Sequence, residues 1–205
     1  MQAVLYGIVD LGYVSEDDVP EATRIMLSRG MKVIQLRAKN VEKSKVLRLA
    51  RKMLIEIQGS DSIFIVNDYP DIALEVEADG VHVGQDDGFF EEIRNSVGDE
   101  MIIGRSTHSL AQAQQAKNDG FDYIGFGPLY ATATKPGRLA IGLEQVSEHT
   151  SLLGSDFPVF CIGGVNCSRL ETVKKAGAVR YVIVSELLDN LHEEEYWSRL
   201  GVISN

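Results

Sequence analysis

The sequence predicts a single (β/α)8 TIM barrel, an α/β fold in which a closed parallel sheet is wrapped by helices, and three observations carry the prediction. Short β-branched, apolar runs recur along the chain with starts roughly 25 residues apart, the scale of repeated βα units. Each run is apolar nearly throughout, as a parallel strand covered on both faces must be. Most of the intervals between runs carry helical spacing. Eight such runs are present, the number that closes a barrel. The fold usually takes ~250 residues and reaches down to ~200, so this chain is a compact example with short loops. A doubly wound open sheet is the alternative, but it ordinarily carries a Gly-rich turn after its first strand, and "IVDLGYVSEDD" contains no GxGxxG.

The first run, "LYGIV" from Leu5, is followed by "EATRIMLSRG", where Ile25, Met26 and Arg29 sit around turns that stop at Gly30. "VIQL" from Val33 leads into "SKVLRLARKMLIEI". There Val46, Leu47, Leu49, Ala50, Met53, Leu54 and Ile57 recur at i, i+3, i+4 and i+7, an amphipathic helix with a basic outer face. "IFIV", "GVHV" and "MIIG" follow from Ile63, Gly80 and Met101. In "SLAQAQQAKNDG", Ser109 is placed to cap a helix and Gly120 to stop it. "YIGF" starts at Tyr123 and "VFCI" at Val159, and "SRLETVKKAGA" repeats the helical pattern from Ser168 to Gly177. "YVIV" from Tyr181 is the eighth run, and the acidic "LHEEEYWSRL" beyond it reads as a solvated helix face.

With 44% hydrophobic residues and no linker-like tract, residues 1–205 read as one domain with one core. No apolar run approaches the ~20 residues that span a bilayer, and "MQAVLYGIVD" lacks the features of a signal peptide, so the expected location is the cytoplasm, with no membrane partner. Cys161 and Cys167 are too few and too oddly spaced for a zinc site and read as free thiols. The formal charge of −10 argues against a nucleic-acid surface. An anionic ligand would have to be held by a few local cations and backbone N–H groups, against the overall field. The sequence leaves a homo-oligomer open.

In such a barrel the chemistry sits at the C-terminal ends of the strands. Arg37 and Lys39 follow "VIQL", and Asn67 and Asp68 follow "IFIV". Gly84, Gln85, Asp86 and Asp87 follow "GVHV"; Arg105, Ser106, Thr107 and His108 follow "MIIG". "GPLYATATK", ending in Lys135, follows "YIGF"; Gly163 and Gly164 follow "VFCI", and Ser185 follows "YVIV". Each also has a plainer reading. Arg37 shares a strand face with Gln35 and could pair with a nearby acid. Asp68 and Asp87 could be turn or cap residues, His108 a packed or capping side chain, Thr132 and Thr134 loop residues, and the Gly pair a tight turn. His82, in mid-strand, reads as structural. Taken together, two acids, three cations and several hydroxyls at one mouth form a kit for holding a polyphosphate through a divalent metal.

"QLRAK", "VNDYPDIAL", "DGVHVGQDD", "IGRSTHS", "DYIGFGPLYATATK", "IGGV" and "VIVS" resemble, in order and spacing, the motifs of the thiamine-phosphate synthase family. The resemblance covers nearly the whole chain. It implies a transferase that uses Mg²⁺ to join 4-amino-2-methyl-5-hydroxymethylpyrimidine diphosphate to 4-methyl-5-(2-phosphoethyl)thiazole, or its carboxylated form. The products would be thiamine phosphate and diphosphate. Gln35, Arg37 and Lys39 would bind the pyrimidine diphosphate, Asn67 the pyrimidine ring, and Asp68 and Asp87 the metal. Ser106 and Lys135 would contact the diphosphate, making Arg37, Lys39, Ser106 and Lys135 the catalytic set. Thr132 and Thr134 would contact the thiazole phosphate, which Gly164, Val184 and Ser185 would cradle. The chain departs from the family pattern at Tyr69, Pro70, Val179 and Arg180, which flank these positions without replacing any. The related thiazole tautomerases share the stretch around His108, which would move protons there. They resemble synthases that have lost the metal-binding acids, both present here. A catalytically silent, phosphate-binding barrel is the remaining alternative.

Overall fold

The computed structural model describes residues 4–132 and 139–201. Eight strands close into a barrel in sequence order: β1 (Leu5–Asp10), β2 (Val33–Arg37), β3 (Ile63–Asn67), β4 (Gly80–Val83), β5 (Ile102–Thr107), β6 (Tyr123–Phe126), β7 (Val159–Cys161) and β8 (Tyr181–Ile183). All neighbours are parallel, and β1 pairs with β8 through Leu5↔Tyr181, which rules out the open sheet. The helices between them are α1 (Val19–Ser28), α2 (Lys43–Ile57), α3 (Pro70–Glu75), α4 (Phe90–Val97), α5 (Leu110–Asp119), α6 (Glu144–Leu153), α7 (Cys167–Lys175) and α8 (Ser185–Asp189), with α9 (Glu194–Leu200) following. Among the described residues no helix is long and apolar enough to cross a membrane.

The uniform apolarity of the strands has the expected cause. Successive side chains alternate between barrel interior and helix layer, so Val9, Leu36, Val66 and Phe126 are buried beneath helices. On the other face, Tyr6, Gln35, His82 and Tyr123 fill the interior. α2 buries Val46, Leu49, Ala50, Met53 and Ile57 of the predicted stripe, while Leu47 and Leu54 at its edges are half-buried. Ser109 caps α5 by accepting from the Gln112 N–H, and Gly120 ends it in the left-handed conformation. α7 starts one residue earlier than the pattern from Ser168 suggested, because the Asn166 side chain accepts from the Arg169 N–H. α9 does expose Glu194 and Glu195, while its other face buries Tyr196 and Trp197, whose indole N–H donates to the Leu191 carbonyl.

One close approach fixes the interior. A Cβ on Gly104 of β5 would lie 2.2 Å from Cζ of Tyr123 on β6. Only a residue without a side chain lets that phenol reach the barrel axis.

Candidate active site

A cavity of about 890 Å³, including the solvent space at its mouth, opens at the C-terminal ends of the strands. Its floor is neutral and polar. Gln35 Nε2 donates to Tyr6 Oη at 2.7 Å, and His82 Nε2 lies 2.9 Å from Ser106 Oγ. His82 thus lines the cavity beside Ser106, from a mid-strand position that also packs it against Tyr123. Its place follows from register: Asn67 pairs with His82, and His82 with Gly104.

Above the floor, Arg37 Nη1 donates to Asp10 Oδ2 at 2.6 Å, and the two side chains are 13% and 3% exposed. Asp10 is the C-terminal residue of β1 and pairs directly with Arg37 in the sheet. The plain reading of Arg37 as half of an ion pair is therefore correct, and Arg37 also lines the cavity. Nothing in the sequence singles out Asp10, although it occupies the same strand-end position as the other candidates. Its carboxylate also accepts from Gly12 N–H at 2.9 Å, so it is held rigidly while it orients the guanidinium.

At the rim, Lys39 Nζ is ion-paired with Asp68 Oδ2. Asp68 has positive φ, 69°, a conformation that Asp tolerates better than most residues. Burial pushes the Asp68 carboxyl above its ordinary value, Lys39 draws it back, and the neighbouring Asp87 raises it again. The two acids read as metal ligands are therefore close enough to feel each other. Asp87 is also a turn residue, since its Oδ2 accepts from Gly84 N–H at 2.6 Å. Arg105 turns away from the cavity and braces this loop, donating to the carbonyls of Gly88 and Gln85 at 2.8 and 2.9 Å.

Two adjacent carboxylates fit Mg²⁺, which takes one or two of them and completes its shell with water and phosphate oxygens. Among the described residues no cluster of three His, Cys, Asp or Glu side chains gathers. The donor set suits a hard ion that arrives with a phosphorylated ligand.

Four strands around the closed barrel, Gly163 and Gly164 leave β7 with φ of 92° and 66°. A Cβ on Gly163 would sit 2.3 Å from Pro128 Cβ, so the pair is required by the packed loop as well as by the turn. Gly164, Val184, Ser185 and Thr132 line this end of the cavity. His108 also lines it, with Nδ1 donating to the Gly127 carbonyl. Thr134 and Lys135 lie outside the described residues. Of the candidates read from the sequence, Gln35, Arg37, Asn67, Ser106, Thr132, Gly164, Val184 and Ser185 line one cavity, with the Lys39–Asp68 pair and Asp87 on the loops that leave the same strand ends.

The comparisons with known proteins fit this geometry. A family model described as thiamine monophosphate synthase matches residues 5–187. A thiamine-phosphate synthase from Prochlorococcus marinus (strain MIT 9303) is 39% identical over 177 residues, which cover 86% of this chain and 50% of that protein. The chain thus spans about half the length of that relative. One from Thermus thermophilus is 41% identical over 169 residues, covering 82% of this chain and 81% of the other. Among solved structures, a thiamine phosphate pyrophosphorylase from Pyrococcus furiosus superposes with a TM-score of 0.83 at 29% identity, covering 96% of this chain and 93% of that one.

Proposed function

The chain belongs to the thiamine monophosphate synthase family, and on that premise we propose that it is a thiamine-phosphate synthase. It would join 4-amino-2-methyl-5-hydroxymethylpyrimidine diphosphate to 4-methyl-5-(2-phosphoethyl)thiazole or its carboxylated form, releasing diphosphate and thiamine phosphate and, from the carboxylated form, carbon dioxide as well. The observation that carries this reading is the two-ended cavity. Two acids and two cations stand where β2, β3 and β4 exit, a glycine-lined end stands where β7 and β8 exit, and a neutral polar floor lies between.

The chemistry asked of such a site is departure of diphosphate from a pyrimidine methylene carbon and capture of the resulting cation by the thiazole nitrogen. That needs no strong base; it needs charge stabilisation on the leaving group and alignment of the second substrate. Arg37, oriented by Asp10, grips phosphate oxygens with a planar fork, and Lys39 adds a point charge. Asp68 and Asp87 would hold Mg²⁺, which when bound neutralises charge on the leaving diphosphate. Gln35 and Asn67 face the pyrimidine, and Ser106 reaches the diphosphate beside it. Lys135 serves the same diphosphate. Thr132, Thr134, Gly164, Val184 and Ser185 hold the thiazole phosphate in line with the cation.

The test is an assay of purified protein with both substrates and Mg²⁺, following thiamine phosphate and diphosphate together. Stoichiometric formation of both, lost on adding EDTA, is expected. Folded protein that yields neither product overturns the reading.

A further inference from the structure

The glycine turn that leaves β7 is held from outside the cavity by a closed circuit of contacts. The Gly163 carbonyl accepts from the Tyr130 N–H at 2.9 Å, and the Gly164 carbonyl accepts from Arg169 Nη1 at 2.8 Å. The Arg169 guanidinium in turn lies over the Tyr130 ring, with Cζ 4.3 Å from the ring centroid. Tyr130 belongs to the segment that leaves β6 toward Thr132, and Arg169 to the first turn of α7, so the circuit joins two strand exits of the barrel. The Leu129 N–H, donating to the Ile162 carbonyl at 2.8 Å, continues the same seam back toward the strands.

The peptides of the turn are trans, and a trans peptide carries its C=O and N–H on opposite sides. Both glycine carbonyls are drawn toward Tyr130 and Arg169, neither of which lines the cavity, so the N–H groups of Gly164 and Val165 are turned the other way. Neither N–H bonds to another described residue, and both residues line the cavity. Two glycines in a row give the turn little stiffness of its own. A flip of either peptide would replace an N–H with a carbonyl and set its negative end against a bound phosphate.

We propose that Arg169, backed by Tyr130, is a positioning residue: it holds the Gly163–Val165 backbone with carbonyls outward and N–H groups toward the cavity, so that this end takes a phosphate monoester. In the proposed reaction, on which this part rests, that ester is the thiazole phosphate. Arg169 acts through the turn and touches no substrate itself. Because Tyr130 stands two residues before Thr132, the same stack also sets the distance between the turn and the threonine segment.

The brace needs no ligand, so the first measurement is made on ligand-free protein. Amide exchange followed in proton–nitrogen correlation spectra should show the Tyr130 N–H of Arg169→Met exchanging about ten-fold faster than in wild type, the worth of roughly one hydrogen bond. The amides of β3, on the opposite side of the closed barrel, should keep their rates. Inorganic phosphate titrated into wild type should move the Gly164 and Val165 amide signals, with about ten-fold weaker affinity in Arg169→Met.

With both substrates, Arg169→Met should raise KM for the thiazole phosphate about ten-fold and leave KM for the pyrimidine diphosphate unchanged. Arg169→Lys, which keeps the charge but not the flat fork, should recover part of the loss. Tyr130→Phe keeps the ring and should match wild type. Tyr130→Leu should raise the same KM about three-fold, and adding it to Arg169→Met should bring no further loss, because the two side chains act through one contact. An unchanged Tyr130 exchange rate in folded Arg169→Met overturns the brace. Phosphate that leaves the Gly164 and Val165 signals still, or a rise in both KM values alike, overturns the positioning role. Phosphate binding at the turn in a protein that makes no thiamine phosphate upholds the phosphate end and removes the proposed reaction instead.

Discussion

Asp10 and Arg37 form a shielded ion pair at the opening of the barrel, Oδ2 to Nη1 at 2.6 Å, and both belong to strand ends that are hydrogen-bonded neighbours. The carboxylate is 3% exposed, so its charge is compensated almost entirely by protein. Asp10→Ala should cost roughly 3 kcal/mol of stability, because it strips a carboxylate from a mostly buried guanidinium. Asp10→Asn, which keeps the acceptor and the shape, should cost less. Urea denaturation of the two variants checks the order. On the proposed function both should raise KM for the pyrimidine diphosphate by loosening the fork that would grip it, and wild-type KM in Asp10→Asn would remove the orienting role.

Asp68 calls for a chosen variant. Its left-handed backbone means that Asp68→Ala adds about 1 kcal/mol of backbone strain to the loss of the carboxylate, whereas Asn tolerates the conformation. Asp68→Asn should therefore fold like wild type and lose Mg²⁺-dependent turnover by about a hundred-fold or more. Activity measured across a Mg²⁺ titration, with circular dichroism as the folding control, decides it. Turnover close to wild type would remove Asp68 from the metal set.

Gly104→Ala is a one-carbon change that should be disproportionately damaging. The new Cβ would fall 2.2 Å from the Tyr123 ring, which must move. Overpacking of this kind costs about 1–3 kcal/mol, and the displaced phenol leaves its hydrogen bonds to Tyr6 and His82 on the cavity floor. Thermal unfolding and kcat should fall together, while Gly59→Ala, whose added Cβ meets nothing within 4 Å but whose φ of 84° strains any side chain, should lower thermal stability and spare kcat.

Stability should depend on pH through His149 of α6. This imidazole is buried against the Phe126 ring, and burial pushes its pKa below the ordinary 6.5. The unfolded chain then binds a proton that the folded chain resists, so the contribution is full above pH 6.5 and is lost as pH falls toward the depressed folded value. Denaturation midpoints taken on either side of the imidazole range should show a smaller acid-side drop in His149→Leu than in wild type.

The eight strands were legible because covering both faces of a parallel strand leaves a continuous apolar run, and no other common element leaves short runs at that interval. The site was legible as a set of strand exits, because a closed barrel brings all such exits to one mouth. What the sequence hid was which side chain faces which. Asp10 follows an apolar run and precedes Glu16, Asp17 and Asp18, so it blends into an acidic loop; only the register Asp10↔Arg37 singles it out. His82 looked internal because it stands among valines, and its inward direction depends on strand parity relative to Asn67 and Gly104. Tyr6 and Tyr123 are far apart in the chain and meet across the barrel axis, which no local pattern encodes.

If the rim takes the proposed Mg²⁺ and diphosphate, the Lys39–Asp68 pair would give it a selectivity of its own. At rest each charge is the other's partner, beside Asp87. A stray phosphate must draw Lys39 away and leave two carboxylates facing each other; a stray divalent cation must draw Asp68 away and leave a lysine beside it. When cation and phosphate arrive together, each replaces the partner that the other removes. On the proposed assignment the two guests would therefore help each other bind by the same factor, and the mouth would work as a lock with two keys, closed to phosphate or magnesium that comes alone.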